Sequence, residues 1–588
     1  MAEYLSGQIS FGGLTEDTDF ATLLDQLKTI EMRKANQLAR WKADWQARID
    51  GFQSVRTALS TLQGQLRAMS STDSFLVKSS VSSQAGVATA TPGHGASTGV
   101  YSLEVNQLAS TAFATLEITG ADKSTKVTGA TQGELIYSYG GTTRTVTIPP
   151  DTTLESLKNI INSDSQNLGV VAQLIAKPGG MFLQIRSKET GAGTLSASTS
   201  GWDSSLTMGP WDLQPGADAE IRCNGWPASG WLSSASNTLT DILDTGLTVN
   251  LYSIGSTTIS VGVDTAAVRK NVQNFVDAVN AFRKTVVELT KVDDNKTVYE
   301  PEYAQSQNEM QKGAVLTGNY GVQMITSRLK SIISSQGLGF SNLHDNGGVM
   351  EGDIFASLSQ IGIMTNADQG SEMYGLLEIN TGFMPWVKTL DEALQEDPLA
   401  VASLFASNNE GKSFSSSLGH VSNIEGVTKP GTYTVNYDVA PGGTVTGTIN
   451  GKAFQWYPSE HQIGVYSNTP PPNDADGLVL EIYDLTVGSH SNLTVAVRQG
   501  KVNELLSLME GSQGILGSEG TLAVLENNYK NIIKNIDQKL MDEDERLIRW
   551  ERTTKARFVR LETQIARYQQ LNKDVKSQIA QLGQKSDS

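Results

Sequence analysis

Residues 38–69 read LARWKADWQARIDGFQSVRTALSTLQGQLRAM. Apolar side chains recur there at Leu38, Trp41, Trp45, Ile49, Phe52, Val55, Leu59, Leu62, Leu66 and Met69. Nearly every step is three or four residues, which places them in one stripe along a long helix. A stripe of this length reads as a coiled-coil seam rather than the face of a globular helix. The equal steps 41–45–49 break the strict heptad, as a stutter does. Gly51 and Gly64 each weaken the helix by roughly 1 kcal/mol relative to alanine, so packing must offset them. Upstream, Phe20, Leu23, Leu24 and Leu27 suggest an earlier helical stretch with Asp19 as its cap.

The same rhythm returns at the other end, at Tyr529, Ile533, Ile536, Leu540, Leu547, Trp550, Phe558, Leu561, Ile565, Tyr568, Val575, Ile579 and Leu582. Glu543 and Thr554 put polar groups at seam positions. Residues 526–582 hold no Gly or Pro, and at ~1.5 Å per residue they predict a helix roughly 85 Å long. Alone, such a helix leaves its stripe wet, so it needs the N-terminal helix, a copy of itself or another protein. A third stripe is internal: Val268, Val272, Phe275, Val279, Phe282, Val286 and Leu289, with Asp264 where an N-cap belongs. Together the stripes predict a helical bundle assembled from segments far apart in sequence.

Between them the sequence is β-rich. Leu135 to Ile148 reads as two strands joined at Gly140-Gly141. Thr152 and Glu155 have capping-box spacing ahead of Leu154, Leu157, Ile160 and Ile161. Val170 to Ala176 and Met181 to Arg186 flank Gly179-Gly180, completing a β-β-α-β-β block. There is also an internal repeat. Gly99-Val100-Tyr101-Ser102-Leu103-Glu104-Val105 parallels Gly431-Thr432-Tyr433-Thr434-Val435-Asn436-Tyr437. Asn224-Gly225 followed by Gly246 to Tyr252 parallels Asn450-Gly451 followed by Gly477 to Tyr483. Each copy then runs into a helix, at Val268 and at Val502.

The chain of 588 residues exceeds what one core supports, so several domains are expected. Its net charge is -17. Residues 1–70 are neutral in sum and 526–588 carry +3, leaving -20 between them. No nucleic-acid partner is expected of so acidic a chain. The single cysteine, Cys223, excludes an intrachain disulfide. No apolar run is long enough to cross a membrane, so no membrane insertion is expected. Met1 to Gly13 lacks a charged n-region followed by an apolar stretch, so no Sec-type signal peptide is expected.

Chemistry-bearing patterns are sparse. His94, His344, His420, His461 and His490 show no metal-ligand spacing, and no metal is expected. Gly411-Lys412-Ser413 is like the end of a phosphate loop, but Ala406 stands where the first glycine belongs and Leu399 to Phe405 reads as helix. It is expected to be a polar turn. No Gly-x-Ser-x-Gly elbow occurs. Asp293-Asp294 lead into Asn295-Lys296 as a solvated turn, and nothing singles out a glycosidase pair among 62 acidic residues. Neither catalytic residues nor a cofactor is expected. Trp41, Trp45 and Trp550 lie on the stripes, where tryptophan serves as a core anchor.

Several stretches resemble the bacterial flagellar filament cap proteins, the hook-associated protein 2 family. Ile9-Ser10-Phe11-Gly12-Gly13-Leu14, with Asp19, Leu23, Leu24, Leu27 and Glu31, looks like that family's opening, although Gly12-Gly13-Leu14-Thr15 replaces its usual Ser-Gly-Leu-Asp. Phe75, Lys78-Ser79-Ser80 and Tyr101-Ser102-Leu103-Glu104-Val105-Asn106-Gln107-Leu108-Ala109 follow in the family's order. The block at 134–191 resembles the small repeat of flagellin-like proteins. Phe275 to Asn280, Leu316-Thr317-Gly318-Asn319, Ile361-Gly362-Ile363 and the last helix with Arg557-Phe558, Leu561 and Leu571 are similar to later family stretches.

The fold class expected is α+β multidomain, with long terminal coiled-coil helices in a bundle and β-rich domains inserted between. The segments are 1–77, helical; 78–110 with 201–264, β-rich; 111–200, the inserted block; 265–427, mainly helical; 428–500, a second β-module; and 501–588, the C-terminal coil. The resemblance implies a non-enzymatic homo-oligomeric ring, often a pentamer, at the filament tip, beneath which flagellin folds and polymerises. It implies hook–filament junction proteins and an export chaperone as further partners, and export by the flagellar type III apparatus. Adhesion to host glycans occurs in some members. Oligomerisation and filament docking would fall to the seams: Leu38, Trp41, Trp45, Phe52, Leu59, Leu62 and Leu66, with Ile536, Leu540, Leu547, Trp550, Phe558, Leu561, Ile565, Tyr568 and Val575. Two other readings are another axial flagellar protein, flagellin or a junction protein, and an extracellular β-rich adhesin.

Overall fold

Three-four spacing of apolar residues over dozens of positions commits the two ends to helix, and the Gly-punctuated, β-branched middle commits to strands. The computed structural model describes residues 20–93, 95–291, 314–346, 349–466 and 473–584. The Ile9 to Leu14 stretch, Asp19, His94 and the Asp293 to Lys296 turn lie outside them. The α-helices among the described residues are α1 (Phe20–Glu31), α2 (Arg33–Arg67), α3 (Thr72–Phe75), α4 (Leu154–Ser163), α5 (Thr265–Thr290), α6 (Tyr320–Ser334), α7 (Leu390–Glu396), α8 (Pro398–Ala406), α9 (Lys501–Met509) and α10 (Thr521–Gln584). The chain divides into two compact units, residues 71–271 with 391–403, and residues 1–70 with 272–390 and 404–588.

The 71–271 unit holds a first β-module. Its main sheet is antiparallel, in the order Lys78–Ser82, Gly255–Val263, Gly99–Gln107, Ala219–Cys223, Leu232–Ser234. A second sheet, Thr238–Thr240, Leu247–Leu251, Ala88–Pro92, completes a core around Leu103, Ile221, Val249 and Ile259. Asp264 caps α5 by accepting from the Ala267 N–H at 2.9 Å.

Between Gln107 and Ala219 lies the inserted block. One of its sheets runs Thr207–Gln214, Phe113–Thr119, Gly180–Ser187, Val170–Lys177, and the other runs Thr142–Ile148, Gly133–Tyr139, Leu195–Ser200. Leu157 and Ile161 of α4 reach the shared core with Leu116, Leu135 and Leu183. Gly140 and Gly141 both take positive φ, as a two-residue hairpin turn requires. The block extends to 214, beyond the expected 200, because Thr207–Gln214 pairs along Phe113–Thr119. The cap of α4 is Thr153, one residue past the expected Thr152. The Thr153 hydroxyl accepts from Ser156 N–H, whereas Thr152 is drawn inward by Thr128 and the Pro149 carbonyl.

The second β-module belongs to the other unit. Its sheet order is Asn408–Ser413, Gly488–Gln499, Gly431–Val439, Val445–Ile449, Lys452–Ala453, faced by Leu418–Ser422, Val479–Ile482, Gln462–Gly464, Gln455–Tyr457. Strand for strand, the main sheet repeats the first module. The likeness reaches single hydrogen bonds. Asn224 Oδ1 accepts from Ser102 N–H, and Asn450 Oδ1 accepts from Thr434 N–H. The Tyr101 hydroxyl donates to Ser97 O, and the Tyr433 hydroxyl donates to Lys429 O, each four residues back. Burial pushes the Tyr433 phenol up to about 12. The inserted block occupies the place of the short loop at 440–444 in the second module.

The second module starts at 408, within the expected helical segment 265–427, because Asn408–Ser413 and Leu418–Ser422 pair into its sheets. Gly411-Lys412-Ser413 is therefore strand, not a polar turn. Gly411 is needed there because the His420 ring occupies the space a Cβ would take.

The junction of the second module with α9 is a buried polar hub. Lys501 donates to Glu504 Oε1 and to Gln336 O, each at 3.0 Å. Asn503 Nδ2 donates to the carbonyls of Ser70, Ala406 and Ser407. Burial depresses the Lys501 ammonium pKa and raises that of the Glu504 carboxyl, while their contact opposes both shifts. Removing one member strands the other charge without water. Lys501→Met is expected to cost about 3–5 kcal/mol, read as a lower urea midpoint by far-UV circular dichroism.

Candidate assembly surface of the terminal helices

The apolar stripe of α2 is buried where its steps are regular. Ile49, Phe52, Val55, Leu59, Leu62 and Leu66 are all shielded, as is Leu38. Gly51 also has its explanation: a Cβ there would come 3.1 Å from Leu316 Cγ, so the 314–319 turn seats against α2. That contact offsets the glycine's cost to helix propensity.

α10 lies along α2 and α1 in the opposite direction. The ion pairs give the register: Arg67–Glu510 at 2.9 Å, Arg56–Glu526 at 3.1 Å, Lys42–Asp537 at 2.6 Å, Lys34–Glu543 at 3.0 Å and Lys28–Glu551 at 3.0 Å. As the first number falls the second rises, over more than forty residues of α10 and the segment before it. Between the charges sits an aromatic cluster. The Tyr529 ring centroid is 4.9 Å from Trp45 and 5.3 Å from Phe52, and its hydroxyl accepts from Asn319 Nδ2. Arg546 adds a fork, donating to Glu31 Oε2 and Glu543 Oε1. The Lys34 ammonium, with Arg546 beside it, holds the Glu543 carboxyl below its usual range.

The seam residues of α10 fall into two sets. Ile536 is buried, and Leu540, Leu547, Trp550, Phe558 and Ile565 are half-buried. Leu561, Tyr568 and Val575 are exposed, as are Val559, Leu571 and Ile579. Tyr568 stands 72% exposed. On α2, Trp45 is half-buried against Tyr529, but Trp41 is 51% exposed and off the buried face. The two successive four-residue steps at 41–45–49 turn it away. From Arg552 to Ile579 the helix carries seven Lys and Arg against two Asp and Glu, so the stretch that bears the exposed apolar residues is basic.

Apolar periodicity locates Phe52, Leu59 and Leu62 but not the flanking charges that set the register. Lys34, Lys42, Arg56 and Arg67 and their acidic partners lie hundreds of residues apart, and both helices carry both signs, so no sequence pattern marks the pairs. No group of three or more His, Cys, Asp and Glu among the described residues is placed to hold a metal. No described helix is long and apolar enough to cross a membrane.

The arrangement defines a class of chain whose two ends pair as helices while β-modules occupy the sequence between. Two family models match it: the flagellar hook-associated protein 2 C-terminus over residues 216–570 and the flagellar hook-associated protein 2 N-terminus over 16–112. The chain belongs to the flagellar hook-associated protein 2 family. It is 27% identical to the B-type flagellar hook-associated protein 2 of Pseudomonas aeruginosa over 418 residues, 66% of this chain and 78% of that protein. It is 24% identical to the flagellar hook-associated protein 2 of Escherichia coli K12 over 425 residues, 70% and 83% of the two. Among solved structures, the D1-D2-D3 domains of the Escherichia coli flagellar cap protein FliD align with a TM-score of 0.44 at 24% identity, covering 62% of this chain and 92% of that one.

The two sets of seam residues predict different consequences for the monomer. Leu59→Asp buries a carboxylate without a partner and is expected to cost more than about 3 kcal/mol. Val575→Asp, on the exposed stretch, is expected to cost less than about 1 kcal/mol. Urea titration of each full-length variant, followed by circular dichroism, measures the difference.

Proposed function

We propose that this chain is a structural cap at the distal tip of the bacterial flagellar filament. Copies associate into a ring, the terminal helices act as coiled-coil legs that dock into the filament end, and flagellin folds and polymerises beneath the plate of β-modules. The family assignment supports the flagellar setting. The observation that carries the docking role is the run of exposed apolar residues on α10, Leu561, Tyr568, Leu571, Val575 and Ile579. A stripe of this kind is a liability in water unless another chain covers it. Its basic character suits an acidic or amphipathic helical partner.

On this reading the seams are assembly sites and the protein is not an enzyme. The neighbours are other copies, flagellin and the hook–filament junction proteins. Before export through the flagellar type III apparatus, a cytoplasmic chaperone would shield the same stripe. The six segments named from the sequence, adjusted at 214 and 408, are the working domains.

An antibody against residues 78–264, imaged on native flagella by electron microscopy, tests the location. Label confined to the distal tip is expected. Label along the filament or near the hook would make the chain a different axial component, and absence of flagellar label would remove it from the organelle. Leu561→Asp combined with Ile565→Asp is expected to abolish docking and assembly while the β-modules keep their circular dichroism signal. Normal assembly by that variant would remove α10 from the docking role.

A further inference from the structure

The two β-modules answer each other residue by residue, and one sheet face differs sharply between them. In the second module Lys412 pairs with Ala496, Glu410 pairs with Arg498, and Thr432 pairs with Ala496 from the other side. Ala496 and Arg498 are buried. The cover is a segment of the same chain. Leu338 bridges to Gln499, the Phe340 ring lies 5.0 Å from the Arg498 guanidinium, and Asp353 takes ion pairs from both Arg498 and Lys412.

The corresponding positions of the first module are Val81 for Lys412, Ser79 for Glu410, Ser260 for Ala496, Gly262 for Arg498 and Val100 for Thr432. Here nothing among the described residues covers the face. Val81 is 70% exposed and Val100 is 68% exposed, side by side across Ser260. Ser79, Ser102, Ser256, Thr258, Ser260 and Gly262 share the same outward side, all exposed. Three adjacent strands thus present eight positions without an ionisable group, and charge begins at the far end of the face, where Glu104 lies across from Ser256 and pairs with Arg222.

Electrostatics selects the occupant. Two copies of one acidic chain repel, and the repulsion is least where neither partner brings charge to the contact. Desolvating Ser, Thr, Gly and Val at a close-packed contact also costs far less than desolvating Lys, Glu or Arg. A covering segment like that of the second module would bring Asp353 against valine, where no cation waits for it.

We propose that the Val81–Val100 face of the first β-module is a contact surface for a second copy of this chain. The proposal rests on the ring reading above and assigns a surface to it. The same fold closes this face with its own chain in one module and leaves it open in the other, with no ionisable group at Val81, Val100, Ser260 or their neighbours Ser79, Ser102, Thr258 and Gly262.

The test is sedimentation velocity of the full-length chain across a concentration series, beside Val81→Glu with Val100→Glu, and Ser260→Glu as an independent variant. All three positions face solvent in the monomer, so circular dichroism and melting temperature should match the wild type. The expected result is at least tenfold weaker self-association for both variants, with a Val81→Thr, Val100→Thr control retaining it. Self-association of the folded Glu variants at wild-type strength, or a wild type that never associates, would overturn the proposal. Tip labelling reports separately on the cap reading. Label at the tip with unaffected Glu variants leaves the cap standing and removes this face. Loss of association without tip label keeps the face and removes the cap.

Discussion

Everything between the first and last helices is an excursion from one antiparallel pairing. Phe52 and Trp45 meet Tyr529, and a ladder of opposite charges from Arg67–Glu510 to Lys28–Glu551 fixes the register. The individual ion pairs are surface or half-buried and contribute modestly. Their value lies in alignment: a slip of one turn breaks the pairs and, toward the C-terminus of α10, sets Lys28 against Lys555 and Arg56 against Lys530, while the apolar seam alone tolerates such slips. The closure spans more than four hundred residues of intervening chain, so it costs loop entropy that local contacts do not. The buried hub of Lys501, Asn503 and Glu504 sits beside it and ties Ser70, at the end of the N-terminal helix, to the carbonyls of Ala406 and Ser407.

Periodicity made the helices legible. The stripes at Leu38 to Met69 and Val268 to Leu289 correspond to α2 and α5, and Asp264 caps where its position says it should. The repeat was legible from Tyr101 and Tyr433, because a tyrosine that reaches back four residues to a carbonyl and an Asn-Gly turn that caps the neighbouring strand leave fixed marks. Short strands were not legible. Asn408–Ser413 holds Asn, Glu, Gly, Lys and Ser, with no apolar alternation, and becomes a strand only because Gly488–Gln499 offers it a backbone to pair with. Thr153 displaced Thr152 as a cap for the same reason: a tertiary hydrogen bond outweighed a local spacing.

Among the seam residues, sequence pattern named the stripe but not its fate. Phe52 and Tyr568 obey the same rhythm, yet one is fully enclosed and the other stands in water. Periodicity reports which residues share a helix face; it carries no information on whether a neighbour lies opposite. The same limit applies to sheets. Alternation in Gly99–Gln107 and Gly431–Val439 marks the inward residues of both modules equally well. In the second module the cover over the outward side comes from Leu338, Phe340 and Asp353, remote in sequence.

The placement of the inserted block has a consequence for how such a chain diversifies. It leaves the parent sheet after Gln107 and rejoins it at Ala219, and Ser110 bridges directly to Ala217, so entry and exit are adjacent. A sheet entered and left at one point is indifferent to the length or identity of what lies between, and the second module proves the minimum by closing the same gap with residues 440–444. The region from 113 to 214 meets its host where Thr190 and Gly191 lie against Ala235, and with that contact kept it can drift or enlarge around a core of its own. A lineage under pressure to alter its outer face has there a replaceable part, while the paired ends and the repeated modules stay under the constraint of fitting one another.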